Sequence, residues 1–153
     1  ACTSWRQYDI TVNEVTIYAP ATPLRVDGVE DPALRDCLQQ TAMDAEVQGV
    51  ADLTNLKCSG AGITTLAGLA QFDQIRSLKL SGNTIRNLLE LARLEDLEQL
   101  WLDDNDIVDP VPVLRMTSLR ALDLDGNPQL QCPSSDKIPL NLKLTLPDHC
   151  DAT

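Results

Sequence analysis

The chain has 153 residues, of which 43% are apolar and only 3% aromatic, and its formal net charge is −11 at pH 7. One domain with an adequate core is enough for this length. The acidic balance argues against nucleic acid or an anionic membrane surface as the partner, and no apolar run approaches the roughly 18 residues of a membrane span. A basic partner is compatible with this charge, but so is solubility alone.

Residues 1–24 are predicted to form an N-terminal tether or arm. Their apolar residues lie among Thr, Asn and Glu and favour strand-like segments; they are Ile10, Val12, Val15 and Ile17. Pro20 and Pro23 then mark a connector.

Residues 25–52 are predicted to form a helical cap. Asp31 is a favourable N-cap, and Pro32 is tolerated at the first helical position. The apolar stripe that follows has helical spacing and consists of Leu34, Cys37, Leu38 and Thr41. Val47 and Val50 precede the equivalent apolar residues of the next segment by 22 positions. We therefore interpret this region as a degenerate repeat whose strand half has become a helix that covers the end of a stacked core.

Residues 53–131 contain four repeats, 22 residues apart, with the pattern L-x-x-L-x-L-x-x-N-x-I. They start at Leu53, Ile75, Leu97 and Leu119. Positions one, four, six and eleven are predicted to point into the core, although the fourth repeat has Gln129 at its eleventh position. Apolar residues also recur at positions 14, 17 and 20, a spacing that suits short 3₁₀ turns.

The ninth position is Asn83, Asn105 and Asn127 in the last three repeats, whereas the first repeat has Ala61 there. An inward-facing asparagine can satisfy backbone groups where the chain leaves a strand. We interpret the three asparagines as a structural ladder and not as catalytic amides, and we expect the rung at Ala61 to be missing.

A period of about 20 to 29 residues with this pattern is the leucine-rich repeat signature. A helical cap followed by 22-residue repeats resembles the internalin-type class of leucine-rich repeat proteins, over residues 25–131. The resemblance implies an α/β fold, namely a leucine-rich repeat solenoid with short parallel strands on its concave face. It is specific for the fold and leaves the function open.

Residues 132–153 are predicted to form a C-terminal cap closed by a disulfide. Alternating apolar and polar residues predict a last strand there, and its apolar positions are Ile138, Leu140, Leu142, Leu144 and Leu146.

The cysteines favour two disulfides. Cys37 lies on the stripe of the cap helix and Cys58 points inward from the strand that this helix should cover, so we pair them. Cys132 and Cys150 bracket the C-terminal cap and form the second pair. Each bond closes a loop of about 20 residues and contributes on the order of 3 kcal/mol. Disulfides imply an oxidising compartment; free thiols in a cytosolic protein are the alternative.

Cys2 is left over at the N-terminus. Ala1-Cys2 resembles the end of a bacterial lipobox, in which the cysteine carries the lipid. Thr3 follows in place of Asp, and the rule of that class then implies the outer membrane. The resemblance predicts an outer-membrane lipoprotein of the bacterial periplasm, whereas a secreted protein with a free cysteine is the alternative.

Catalysis and metal binding have little support in the sequence. The only histidine, His149, lies beside Cys150, which the pairing removes as a nucleophile. The acidic run Asp103–Asp109 departs from the EF-hand template, because Ile107 stands at a ligand position and no glycine follows it. We predict no enzymatic activity, no cofactor and no metal site.

The outward-pointing strand positions offer a binding face, and we expect it to run from a basic to an acidic end. Its residues are Lys57, Lys79, Gln99, Trp101, Asp103, Asp123 and Asp125. Trp101 cannot enter the core, which Leu100 and Leu102 occupy, and an exposed aromatic flanked by charges is typical of a binding hot spot. The alternative is that Trp101 only lies across neighbouring strands, covered by the Lys79 stem.

These features favour a non-enzymatic protein–protein interaction module of the bacterial cell envelope, which presents its concave face to an unidentified protein. One alternative is a module that binds envelope glycan with Trp101 as the stacking platform, although the face has no aromatic row. The other is a structural or assembly lipoprotein whose concave face is inert.

Lipid anchoring can be tested with the full-length precursor, expressed with its own signal. We expect the wild type to partition to membranes and Cys2→Ser to be recovered in the soluble fraction, because the acyl chains on Cys2 would supply the membrane affinity. Equal partition of the two proteins would remove the anchor from the account.

Overall fold

The computed structural model describes residues 24–150 and, of the preceding arm, only the backbone of two short strands. These are β1 (Ile10–Val12) and β2 (Val15–Tyr18), which pair antiparallel. They agree with the strand-like segments predicted for the arm. Cys2, the predicted lipid-bearing residue, lies outside the described residues, so the anchor stays a prediction.

Five short strands form one parallel sheet in sequential order. They are β3 (Asn55–Lys57), β4 (Ser77–Lys79), β5 (Gln99–Trp101), β6 (Ala121–Asp123) and β7 (Lys143–Thr145). The central leucine of each strand lies beside the leucine 22 positions further on, from Leu56 to Leu144. This register confirms the predicted leucine-rich repeat solenoid with its parallel strands.

The remaining elements lie off the sheet, and the longest is helix α1 (Pro32–Asp44). Two return segments form 3₁₀ turns at Leu69–Gln71 and Leu91–Arg93, and the next forms one α-helical turn, α2 (Val111–Leu114). Other 3₁₀ turns lie at Val50–Asp52, Ser135–Lys137 and Asp148–Cys150. The three-residue spacing of the apolar side chains in the return segments accounts for these tight turns.

The core lies between the strands and the return segments. The inward positions of the first three repeats are at most 2% exposed: Leu53, Leu56, Cys58, Ile63, Ile75, Leu78, Leu80, Ile85, Leu97, Leu100, Leu102 and Ile107. Each large aliphatic side chain among them contributes about 2 kcal/mol by leaving water. A single repeat cannot cover its own apolar face, so this free energy is gained only when repeats stack.

Three buried asparagines bridge successive repeats. Asn83 Oδ1 accepts from the backbone N–H of Ile63 at 3.0 Å, and its Nδ2 donates to the carbonyl of Leu80 at 2.8 Å. Asn105 and Asn127 make the equivalent bonds one and two repeats further on. The asparagines thus form the predicted ladder, and the first repeat, which has alanine at this position, lacks the rung.

One buried carboxylate ties the cap helix to the first repeat. Asp31 is 5% exposed, and its Oδ1 accepts from the N–H groups of Ala33 (2.9 Å) and Leu34 (3.2 Å), which caps α1. Its Oδ2 accepts from Thr64 N–H (2.8 Å), Thr64 Oγ1 (3.0 Å) and Thr65 N–H (3.2 Å). Burial raises the pKa of Asp31, but these hydrogen bonds outweigh that effect and hold the pKa below its ordinary value. The carboxylate form therefore stabilises the fold.

Two disulfides clamp the ends of the solenoid. Cys37 and Cys58 join α1 to the residue after β3, with Cα atoms 5.9 Å apart, and Cys132 and Cys150 close the C-terminal cap at 5.3 Å. Both pairs are those predicted from the sequence. They lie where the terminal strands have a repeat on one side only, so they strengthen the two places where stacking is incomplete.

The cap departs from the 22-residue spacing in one respect. The spacing predicts that Val47 and Val50 both face the core, but Val50 is 37% exposed and only Val47 packs against it. The 3₁₀ turn begins at Val50 itself, three residues later than Leu69–Gln71 implies. Because the cap helix replaces a strand, the return segment that follows it no longer keeps the 22-residue spacing to the first repeat.

Near the C-terminus, the structure explains the exception at Gln129 and corrects the predicted extent of the last strand. Leu130 is buried in place of the residue before it, Gln129, which is exposed. The last strand is shorter than the alternation predicts and comprises Lys143–Thr145 alone. A turn closed by Leu142 N–H and the Pro139 carbonyl (3.1 Å) precedes it and leaves Leu140 fully exposed.

The hydrogen bonds of the buried Asp31 carboxylate can be tested by Asp31→Asn, which places an amide N–H₂ against backbone donors. We expect the free energy of unfolding to fall by roughly 2–4 kcal/mol at pH 7, because hydrogen bonds to a buried charge are lost. A lowered pKa means that this contribution is present above about pH 4 and is lost as pH falls through the folded-state pKa. Denaturant unfolding at pH 7 and near pH 3 measures both effects.

Asp36→Asn is the matched control, because Asp36 is an exposed carboxylate on the same helix. We expect it to change stability by less than about 0.5 kcal/mol. Equal effects of the two substitutions would refute the stabilising role of the Asp31 carboxylate. So would a loss of unfolding free energy in Asp31→Asn that is as large near pH 3 as at pH 7.

Candidate binding face

The outward side chains of the sheet form rows that cross the strands. The central row consists of Lys57, Lys79, Trp101, Asp123 and Thr145, each the register partner of the next. Neighbouring strands are about 4.8 Å apart, so the row spans roughly 20 Å. It runs from two cations through an indole to a carboxylate, and we call this surface the concave face.

The structure places all seven predicted face residues on this sheet or directly after its strands. Lys57, Lys79 and Gln99 are exposed on β3, β4 and β5. Asp103 and Asp125 follow β5 and β6, two residues beyond the central row. The basic and acidic ends are therefore real features of one continuous surface.

The fifth strand adds two face residues that sequence reasoning missed. Lys143 pairs in register with Ala121, and Thr145 pairs with Asp123. The signal was present, because both lie 22 residues after their partners. The alternating leucines predict a strand there, and only the 22-residue period, continued past Asn127, assigns Lys143 and Thr145 to the concave face.

Trp101 is half-buried, which lies between the exposed side chain of the hot-spot interpretation and the covered side chain of its alternative. Leu100 and Leu102, on either side of it, are at most 1% exposed, so the indole lies outside the core. Its register neighbours are Lys79 and Asp123. An aromatic side chain already held against its surroundings loses little conformational entropy when a partner covers the rest of it.

Four carboxylates gather at the acidic end of the concave face. Asp103 accepts a hydrogen bond from Ser81 Oγ, and Asp123 accepts one from Asp125 N–H at 3.0 Å. Burial raises the pKa of Asp123, and the carboxylates of Asp103, Asp125 and Asp104 raise it further, against the lowering by that N–H. A carboxylate held among like charges costs stability, and such groups concentrate at functional sites.

Asp104 reaches this cluster through an unusual backbone conformation. Its φ is +56°, a left-handed value that favours glycine, and the equivalent residue of the next repeat is Gly126 with φ +66°. A Cβ on Gly126 would collide with the Asp104 carboxylate. Asp is among the few side chains that tolerate this region, so the turn supplies one more negative charge where the other repeats have glycine.

The charges of the concave face are not neutralised within the described part of the chain. The one ion pair among residues 24–150 joins Arg76 and Glu98 at 3.5 Å, and both side chains are exposed. The carboxylates of the acidic end also form no metal cage in that range, where only Cys132, His149 and Cys150 bring three ligand atoms together. The face charges thus remain available to a partner.

No protein-family model matches the chain, and no curated protein matches it in sequence. Among solved structures, internalin C2 from Listeria monocytogenes is similar with a TM-score of 0.59 and 25% identity, covering 71% of this chain and 52% of that one. An internalin (inlF) from the same species has a TM-score of 0.51 and 16% identity, covering 76% of this chain and 42% of that one.

The chain is therefore an internalin-like leucine-rich repeat protein in its fold. It spans about half the length of these neighbours. In the part that the structure describes, no helix has the length and apolar character that a membrane span requires.

Burial first, and then the neighbouring carboxylates, disfavour the charged form of Asp123, and Asp123→Asn tests this cost while keeping an acceptor for Asp125 N–H. A raised pKa means that protonation of Asp123 favours the folded state, and that this advantage is lost as pH rises through the folded-state pKa. We expect the variant to be more stable than wild type at pH 7, by no more than about 0.5 kcal/mol. The gain should vanish near pH 3, and thermal unfolding at both pH values measures it.

The matched control is Asp148→Asn, an exposed carboxylate of the C-terminal cap. A loss of stability in Asp123→Asn at pH 7 would show that its carboxylate is a structural requirement and not a strained binding group.

Proposed function

We propose that this chain is a non-enzymatic protein–protein interaction module that binds its partner on the concave face. The observation that carries the proposal is the central row of the sheet, in which Trp101 stands between uncompensated cations and carboxylates. A stacked solenoid presents this row on a rigid sheet, so binding requires little reorganisation of the protein.

The charge pattern defines the chemistry of the partner. A basic patch would meet Asp103, Asp123 and Asp125, and an acidic or polar patch would meet Lys57 and Lys79. A face about 20 Å wide gives at most a standard-size interface, so the affinity must concentrate in few residues. Trp101, as the one large aromatic side chain on strands β3–β7, is the best candidate anchor.

We place the module in the bacterial cell envelope, held at the outer membrane by a lipid on Cys2. Two disulfides support an oxidising compartment. The lipobox resemblance at Ala1-Cys2 supports the anchor. A tethered solenoid would search a thin layer for its partner, which raises the effective concentration of both.

Glycan binding is less well supported. Stacking sites for sugars need flat aromatic surfaces, and β3–β7 carry one half-buried indole with a lysine and an aspartate as its neighbours in the row. A structural role with an inert face is also less well supported, because four carboxylates gather beside the one aromatic side chain of β3–β7.

The proposal is tested by Trp101→Ala against a partner captured from envelope extract. We expect the dissociation constant to rise about 30-fold or more, which corresponds to the usual hot-spot threshold of about 2 kcal/mol. Because the indole is half-buried, stability should fall by only about 1–2 kcal/mol. Titration calorimetry and denaturant unfolding measure the two effects.

Leu89→Ala is the control, because Leu89 is 64% exposed on the return side of the solenoid, away from the sheet. We expect it to leave both affinity and stability within error of wild type. If Trp101→Ala binds normally while Leu89→Ala does not, the partner site lies on the return side and the concave-face assignment is wrong.

A further inference from the structure

The C-terminal cap brings together a cluster of ligand atoms that the sequence did not predict. One atom each from Cys132, His149 and Cys150 lies within 4.8 Å of the other two. We propose that these three side chains bind a zinc ion once the Cys132–Cys150 disulfide has been reduced. The cap is then a site that exchanges a covalent cross-link for a metal cross-link.

The hydrogen bond that His149 makes leaves one ring nitrogen for a metal. Nε2 of His149 lies 2.9 Å from the carbonyl oxygen of Leu130, which can only accept. Nε2 is therefore the donor in this bond, and Nδ1 is the ring nitrogen whose lone pair can meet a metal. Metal-binding histidines commonly have their other N–H held by a backbone carbonyl in this manner. Leu130 is 3% exposed in the core, so this support is rigid.

The distances suit a tetrahedral ion. Zn–S bonds of about 2.3 Å and Zn–N bonds of about 2.0 Å place two sulfurs about 3.8 Å apart and a sulfur and a nitrogen about 3.5 Å apart. The ligand atoms already lie within 4.8 Å of one another. Once the sulfurs are released to non-bonded contact, small side-chain rotations complete the geometry, and water takes the fourth position.

Access distinguishes this disulfide from the other one. Cys132 is exposed and Cys150 is half-buried, whereas Cys37 is half-buried and Cys58 is only 2% exposed. A dithiol reductant therefore reaches the C-terminal pair first. Among residues 24–150 the Cys37–Cys58 pair also belongs to no group of three ligand atoms, so its reduction would not create a comparable site.

Reduction of the disulfide and binding of the metal are two separate steps. A dithiol of the thioredoxin type or dithiothreitol donates two electrons and two protons, is itself oxidised to a disulfide, and leaves two thiols at Cys132 and Cys150. Zn²⁺ then displaces both thiol protons into solvent and accepts the Nδ1 lone pair of His149. The Nε2 proton stays on the bond to Leu130.

The test uses the full chain in a Cys2→Ser background, reduced with dithiothreitol and freed of reductant without oxygen. Alkylation mapping should show Cys132 and Cys150 reduced before Cys37 and Cys58. Co²⁺ is the probe, and we expect one equivalent to give thiolate-to-cobalt absorption and tetrahedral visible bands that Zn²⁺ abolishes. The oxidised protein should give neither.

His149→Ala should weaken Co²⁺ binding by at least about 10- to 100-fold and alter the visible bands. Asp148→Asn is the matched control, since Asp148 is the exposed carboxylate next to that histidine, and it should bind Co²⁺ as wild type does. Absence of thiolate-to-cobalt absorption in the reduced protein overturns the proposal, and so does equal binding by His149→Ala.

Two further outcomes also decide the matter. Equal alkylation rates at the two cysteine pairs would refute the selective opening of the C-terminal disulfide. If reduction lowers the far-ultraviolet circular dichroism, Zn²⁺ must restore it, and failure to do so overturns the metal cross-link. None of these readouts involves the concave face, so they leave the proposed partner binding to its own test.

Discussion

The whole structure depends on a spacing of 22 residues that is kept from β3 to β7. It places each inward leucine beside its equivalent, as Leu56, Leu78 and Leu100 show. Strand side chains alternate between the two faces, so a slip of one residue would turn the leucines to solvent and the charged row into the core. Core, asparagine ladder and concave face are consequences of one register, and the outward row of charged side chains around Trp101 is obtained without any loop that must fold separately.

A solenoid of this kind has two ends, and each is closed differently. At the N-terminal end, Asp31 contributes a charge that is buried and fully bonded, and Cys37–Cys58 adds a covalent tie from α1. At the C-terminal end, one disulfide and a short parallel strand complete the sheet. Burial of a charge is costly unless hydrogen bonds compensate it, and five of them meet the Asp31 carboxylate. The acidic end of the concave face is the opposite case, since its carboxylates repel one another.

The sequence predicts the features that recur with the 22-residue period, but it does not predict contacts that occur only once in the fold. The strands, the inward positions and the asparagine ladder follow from the repeat. The disulfides follow from Cys37 on the cap helix that covers the strand of Cys58, and from Cys132 and Cys150 at the two ends of the C-terminal cap. The contact between Asp31 and Thr64 bridges 33 residues and belongs to no repeated pattern. A local turn can also override the alternation of apolar and polar residues. The turn that begins at Pro139 exposes Leu140, which the alternation places inside.

The candidate site was predictable to the same degree. Position within the repeat identifies which side chains point outward, and it placed the seven face residues on one surface. The sequence left two alternatives for Trp101, exposed or covered by its neighbours, because its burial depends on how side chains of adjacent strands pack in the folded protein. The raised pKa of Asp123 likewise arises from its burial and, after that, from the carboxylates of Asp103, Asp125 and Asp104, which only the folded register brings together.

Site-specific photo-crosslinking tests the central claim most directly. A photoreactive residue is introduced at Gln99, exposed beside Trp101 on β5, and separately at Leu89 on the return side. In intact cells the account predicts one crosslinked partner from position 99, lost when Trp101→Ala is added, and none from position 89. A partner crosslinked from position 89 alone would contradict the account and would place the binding surface on the other side of the solenoid.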